Sequence, residues 1–86
     1  MYLILNHAER IVDISEEARY VKRQENGVIV GCAQEEADAI YSANTDAFYP
    51  LEPTGYIGDG HTLESVKKVP DEVTAGYYFY HNGEFY

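Results

Sequence analysis

The sequence predicts an α+β domain: a mainly antiparallel β meander of hairpins carrying one short helix. Three observations point there. Two Asn-Gly pairs, Asn26-Gly27 and Asn82-Gly83, are flanked by strand formers; short apolar runs recur between turn signals; and one interval, residues 33–41, changes its apolar spacing. Eighty-six residues fit a single small domain, 1–86, with one core.

Taken in order, Tyr2 to Asn6 and Ile11 to Ile14 are apolar runs joined by the polar bend His7-Ala8-Glu9-Arg10, which predicts a first hairpin. Tyr20 to Gln24 and Val28 to Cys32 flank Asn26-Gly27, the pair that supplies both positive-φ positions of a type I′ turn. A two-residue turn there sets Glu25 opposite Val28, Arg23 opposite Val30 and Val21 opposite Cys32. From 33 to 41, Ala33, Ala37, Ile40 and Tyr41 fall on one side of a helix, with Glu35, Glu36 and Asp38 largely on the other. The acids near its start suit the helix dipole, and about two turns of helix must be held by packing on the sheet.

Ser42 to Asp46 breaks the pattern, and Ala47 to Leu51 is a short extended piece punctuated by Pro50 and Pro53. Gly55 to Gly60 is a glycine-rich loop, and Thr62 to Val69 reads as a strand that Pro70 ends, although Leu63, Val66 and Val69 recur three apart rather than two. The last ten residues, Tyr77 to Tyr86, close the chain with a second type I′ hairpin in which His81 faces Glu84.

The charge is uneven. Of the net −9, residues 31–66 contribute −7, from Glu35, Glu36, Asp38, Asp46, Glu52, Asp59 and Glu64 without a single Lys or Arg. Phosphate neutralisation needs a basic stripe, so direct nucleic-acid binding is not expected. An acidic face made by those seven residues suits a basic groove on another protein. The opening apolar run, Met1 to Leu5, is far shorter than a membrane span, and no basic segment precedes it as in a signal peptide; the expected location is the cytoplasm.

Little in the chain announces chemistry. The lone Cys32 follows an apolar run, reads as a small buried hydrophobe and has acids rather than cations beside it. His7, His61 and His81 are far apart, with no Cys or His at metal-ligand spacing, so no metal or cofactor is expected. His61 beside Asp59 is the nearest approach to an acid–base pair, but without a nucleophile or second carboxylate it reads as a solvated turn. Gly55 to Gly60 lacks the Lys-Ser/Thr ending of a phosphate loop. The chain is therefore read as non-catalytic.

Nine tyrosines and three phenylalanines are the remaining surplus. In the closing hairpin Tyr77, Tyr78, Tyr80, Phe85 and Tyr86, together with Phe79, put aromatics on both faces, so one face can join the core and the other can meet a partner protein or, in a homodimer, a second copy. The competing arrangement is a helix or loop that covers the second face within the monomer.

The run Tyr20 to Val30, then Glu35-Glu36-Ala37-Asp38-Ala39-Ile40-Tyr41, then Val69-Pro70-Asp71-Glu72-Val73 leading to Tyr78-Phe79-Tyr80 and Gly83-Glu84-Phe85-Tyr86, resembles small open reading frames in the tail-gene region of phages and prophages of Gram-positive bacteria. The resemblance covers most of the chain from about residue 20 onward and implies a phage origin. It carries no functional residue with it. Two functions are expected from these features: a non-catalytic virion or tail-assembly accessory that binds a phage structural protein, or an acidic inhibitor of a host defence nuclease that mimics nucleic acid.

Overall fold

The computed structural model describes residues 1–51 and 60–86. Nine strands run through these residues: β1 (Tyr2–Leu5), β2 (Ile11–Ser15), β3 (Ala18–Arg23), β4 (Ile29–Gly31), β5 (Ala39–Ser42), β6 (Ala47–Pro50), β7 (Thr62–Ser65), β8 (Tyr80–His81) and β9 (Glu84–Phe85). They form three antiparallel sheets, of order β2-β1-β7, β4-β3-β5-β6 and β8-β9.

The fold is all-β, which corrects the α+β expectation. Within 33–41 the only helical geometry is a single 3₁₀ turn, Gln34–Glu36, flanked by extended Ala33 and Ala37. Two turns of α-helix carry too few hydrogen bonds to offset nucleation. The same residues also fit period two: Ile40 and Ser42 are buried while Ala39 and Tyr41 are half-buried, and Ile and Tyr favour a strand. Strand β5 then gains the free edge of β3, pairing Ala18 with Ser42 through to Val21 with Ala39.

The three-stranded sheet β2-β1-β7, the central one, is covered on both faces, which is why β1 reads as an unbroken apolar run rather than an alternation. Leu3 and Leu5 pack with Ile11 and Val73 on one side, joined by Val66, Val69, Tyr78, Tyr80 and Phe85 from the C-terminal segment. Ile4 packs on the other side with Ala18 and Ile40, joined by Tyr20, Tyr49 and Leu63. Val66 and Val69 thus face the first cluster and Leu63 the second, which accounts for their spacing; the strand itself ends at Ser65, well before Pro70.

A bulge at Val12 connects β2 to both layers. Ile4 pairs with Asp13 and Leu5 with Ile11, leaving Val12 as the extra residue. Ile11 and Ile14 pack with the first cluster, while Asp13 sits opposite Ile4, toward the four-stranded sheet.

The hairpins divide. In the closing one, Asn82 (φ 47°) and Gly83 (φ 87°) both occupy the left-handed region and Tyr80 pairs with Phe85, His81 with Glu84, as expected for type I′. In the β3–β4 hairpin only Gly27 has positive φ, the Gly27 amide donates to the Gln24 carbonyl at 2.9 Å, and the loop is the three-residue Glu25-Asn26-Gly27. The Asn26 side chain holds this longer turn by accepting from the Val28 amide at 3.1 Å. Arg23 therefore pairs with Ile29 and Val21 with Gly31, one residue away from the expected register, so every β4 side chain lies on the opposite face. Cys32, expected buried, is half-buried.

Candidate functional site

The C-terminal hairpin lies against the start of β2. The Ile11 amide donates to the Tyr78 carbonyl at 2.9 Å, the Tyr80 amide to the Glu9 carbonyl at 3.0 Å, and Arg10 bridges to Phe79. This docking sorts the aromatics. Tyr78, Tyr80 and Phe85 are partly buried against Leu3, Leu5, Ile11 and Val73, with Tyr80 and Phe85 edge to face at 5.1 Å. Three of the five hairpin aromatics read as contact residues are thus half-buried against the core.

The other face is the open one. Phe79 and Tyr86 stack at 5.7 Å with 16° between their planes, and the Arg10 guanidinium lies 5.3 Å from the Phe79 ring centre. Tyr86 is 63 % exposed and Tyr77 82 %. Of the expected contact residues Tyr77 and Tyr86 remain at the surface, and the half-buried Phe79, with the exposed Arg10 over its ring, adjoins Tyr86. Arg10 escaped the sequence reading because its neighbour in space is 69 positions away along the chain.

A polar cleft of about 290 Å³ opens on the side of the hairpin, lined by Leu5, Glu9, Thr62, Glu64, Tyr80 and His81 among others. His81 and Glu84 are cross-strand neighbours as read from sequence, but the imidazole Nδ1 contacts Glu9 Oε2 at 2.5 Å. Glu9 reaches it from a left-handed conformation, φ 65°, at the end of the β1–β2 turn. The cleft brings a His, two carboxylates, a phenol and the Thr62 hydroxyl to one lining.

The acids read as one face are spread over several places. Glu35, Glu36 and Asp38 lie in the loop before β5; Asp46 is in the turn after it, at the far end of that strand; Glu64 is on β7 in the other sheet. Glu52 and Asp59 lie outside the described residues, as does most of the glycine-rich loop. Glu36 accepts from Lys22 Nζ at 3.3 Å, Asp38 from the Arg23 amide at 3.3 Å, and Asp46 from the Tyr41 hydroxyl at 2.8 Å. The Asp46 carboxylate bonded to Tyr41 raises the phenol's pKa. His61 is held by β6, its ring Nδ1 2.9 Å from the Pro50 carbonyl and its ring edge-on to Tyr49.

One acid that the sequence reading passed over is the most constrained. Asp13 is 1 % exposed and accepts from Asn44 Nδ2 at 2.9 Å, Thr45 Oγ1 at 2.8 Å and the Tyr49 hydroxyl at 3.1 Å. Burial pushes its carboxyl upward, but the hydrogen bonds from Asn44, Thr45 and Tyr49, with the Ser42 hydroxyl nearby though outside hydrogen-bond geometry, outweigh that and the net shift is downward. Burial, with the Asp13 charge adding to it, raises the Tyr49 phenol. Ser15 supports the same turn, its hydroxyl accepting from the Asn44 amide at 3.2 Å and donating to the Glu17 carbonyl at 2.6 Å. An isolated Asp inside Ile11-Val12-Asp13-Ile14 was the available signal. Its partners are all structural, so Asp13 is a latch between β2 and the β5–β6 turn.

Among the described residues no three His, Cys, Asp or Glu side chains are grouped to hold a metal ion, and no helix is long and apolar enough to cross a membrane. Comparison with protein-family models, with curated proteins and with solved structures finds no match.

Proposed function

We propose that the chain is a non-catalytic protein-binding module that engages its partner through the outward aromatic face of the closing hairpin. The observation that carries this reading is the Phe79–Tyr86 stack with the Arg10 guanidinium over Phe79, in a segment whose Tyr77 and Tyr86 are 82 % and 63 % exposed. Tyr and Arg are the residue types that anchor protein interfaces, and a hairpin docked by backbone hydrogen bonds presents them at little further entropic cost.

The resemblance to phage tail-region open reading frames supplies the partner class: a phage structural protein, with this chain as a virion or tail-assembly accessory working in the cytoplasm of the bacterial host and carried into the virion. The acidic-inhibitor reading draws less support, because Glu35, Glu36 and Asp38 are separated from Asp46 by the length of β5 and from Glu64 by a change of sheet.

The test is affinity capture with the tagged chain from phage-induced cells. Recovery of tail or baseplate proteins supports the accessory reading. Recovery of a host nuclease from uninduced cells, lost on charge reversal at Glu35, Glu36 and Asp38, would replace it with the inhibitor reading.

A further inference from the structure

The four-stranded sheet has a second face, turned away from the central sheet, that the aromatic hairpin does not use. Ala18, Tyr20 and Ile40 pack inward on Ile4, so the alternate residues Arg19, Val21 and Arg23 of β3 fall on the outer side. The three-residue turn at Asn26-Gly27 brings Ile29 to this side opposite Arg23, where the shorter turn would have brought Val30. The β5–β6 pairing sets Tyr41 beside Phe48, their rings 5.2 Å apart.

The outer face has a shaped centre. A cleft of about 280 Å³ is lined by Val21, Arg23, Ile29, Asp38, Ala39 and Phe48. Its floor is small and apolar, and its walls, Ile29 and Phe48, are 37 % and 47 % exposed. That volume lies just below the usual range of small-molecule pockets and suits one large apolar side chain. Arg19 lies across the neighbouring surface, its guanidinium 5.2 Å from the Tyr41 ring centre and its Cδ 3.7 Å from where a Cβ on Gly31 would stand. Within a chain of net charge −9, the charged side chains that these strands contribute to this face are two arginines, four residues apart on one strand.

We propose that this face is a docking site for an extended acidic segment of a protein partner, with acids at two positions four residues apart and a large apolar residue midway between them. At about 3.3 Å per residue, Arg19 and Arg23 stand about 13 Å apart, the span of i to i+4 in an extended peptide, and positions i, i+2 and i+4 of such a peptide point the same way. The acids then meet the arginines while the middle residue enters the cleft above Val21. A continuous run of phosphates is a poorer match: Asp38 lines the cleft beside Arg23, and Glu17 lies 4.0 Å from Arg19. A peptide needs negative charge at only two points. The proposal rests on the reading of the chain as a binding module but uses a different sheet from the hairpin.

The test is fluorescence anisotropy of the full chain with a labelled Gly-Glu-Thr-Leu-Thr-Glu-Gly peptide, beside its Lys-for-Glu counterpart and a labelled oligothymidine. The Glu peptide alone binds; Arg19→Glu and Arg23→Glu each weaken it about fivefold and Phe48→Ala about tenfold, the scales of one exposed ion pair and part of an apolar anchor. Tyr86→Ala leaves this binding unchanged, which separates the proposal from the hairpin reading. Circular dichroism confirms that each variant is folded. The proposal is overturned by equal binding of the Lys peptide, by no peptide binding, by preferential binding of the oligonucleotide, or by self-association of the chain that Phe48→Ala abolishes, which would assign the face to a second copy.

Discussion

Tyr49 and Asp13 meet where the two main sheets pack, the phenol donating to the carboxylate at 3.1 Å. Tyr49 belongs to β6, an edge strand of the four-stranded sheet, and Asp13 to the bulged edge strand of the three-stranded one. The pair, with Asn44 and Thr45, makes the packing of the sheets depend on a charged acceptor as well as on Ile4 and Ile40.

Removing that acceptor is costly. Asp13→Ala leaves three donors without their partner and should destabilise the fold by about 3 kcal/mol, while Asp13→Asn, which keeps one acceptor oxygen, should cost about 1–2 kcal/mol. Urea denaturation measures both. A loss under 0.5 kcal/mol for the alanine variant would contradict the latch.

The same carboxylate gives the fold a pH dependence. The Asp13 pKa is lowered in the folded state, so the unfolded chain binds the proton more readily. Its contribution is full above the unfolded value of about 3.9 and is lost as pH falls through the folded pKa. Stability profiles of the wild type and Asp13→Asn should therefore converge as the solution is acidified below about pH 4 and run parallel at neutral pH. Parallel profiles throughout would show that Asp13 does not carry the effect.

Gly83 holds a φ of 87°, with nothing within 4 Å of the space a Cβ would take. Gly83→Val should cost about 2 kcal/mol through backbone strain alone, and fraying of the closing hairpin should accompany it. An unchanged melting temperature would mean that this turn does not hold the hairpin.

How much of this was legible in the chain depended on how local the deciding contacts are. The Asn82-Gly83 hairpin was readable because both φ values and the Tyr80–Phe85 pairing follow from adjacent residues. Asn26-Gly27 carries the same dipeptide, yet the Asn26 side chain caps Val28 and the turn lengthens by one residue, which no propensity reports. Ile40 fits a helix and a strand equally by spacing, and the choice was made by the edge of β3, a tertiary contact. The candidate surfaces were half visible: Tyr77 and Tyr86 follow from the hairpin, whereas Arg10 over Phe79, and Arg19 with Phe48 on the other sheet, require the sheet order.

Ile40 makes that choice measurable. It is fully buried against Ile4 and Ala18, so Ile40→Ala should cost about 3 kcal/mol. Ala33, in the loop before the 3₁₀ turn, is exposed, and Ala33→Gly should change stability by under about 0.5 kcal/mol, whereas in a helix the loss would approach 1 kcal/mol. Chemical denaturation of both variants checks the strand assignment.

Glu9 combines a left-handed φ of 65° with an exposed contact to His81. Glycine relieves the first and removes the second, and since these are of similar size Glu9→Gly should leave stability within about 0.5 kcal/mol of wild type. A loss above about 1.5 kcal/mol would show that the Glu9–His81 contact is worth more than an exposed pair.

The most direct test of the binding-module account is quantitative affinity capture from phage-induced cells, comparing the tagged wild-type chain with a Phe79→Ala, Tyr86→Ala double variant shown by its melting temperature to be folded. The account predicts that phage structural proteins are recovered with the wild type and depleted at least tenfold with the variant. Equal recovery with both, or no phage protein with either, would contradict it.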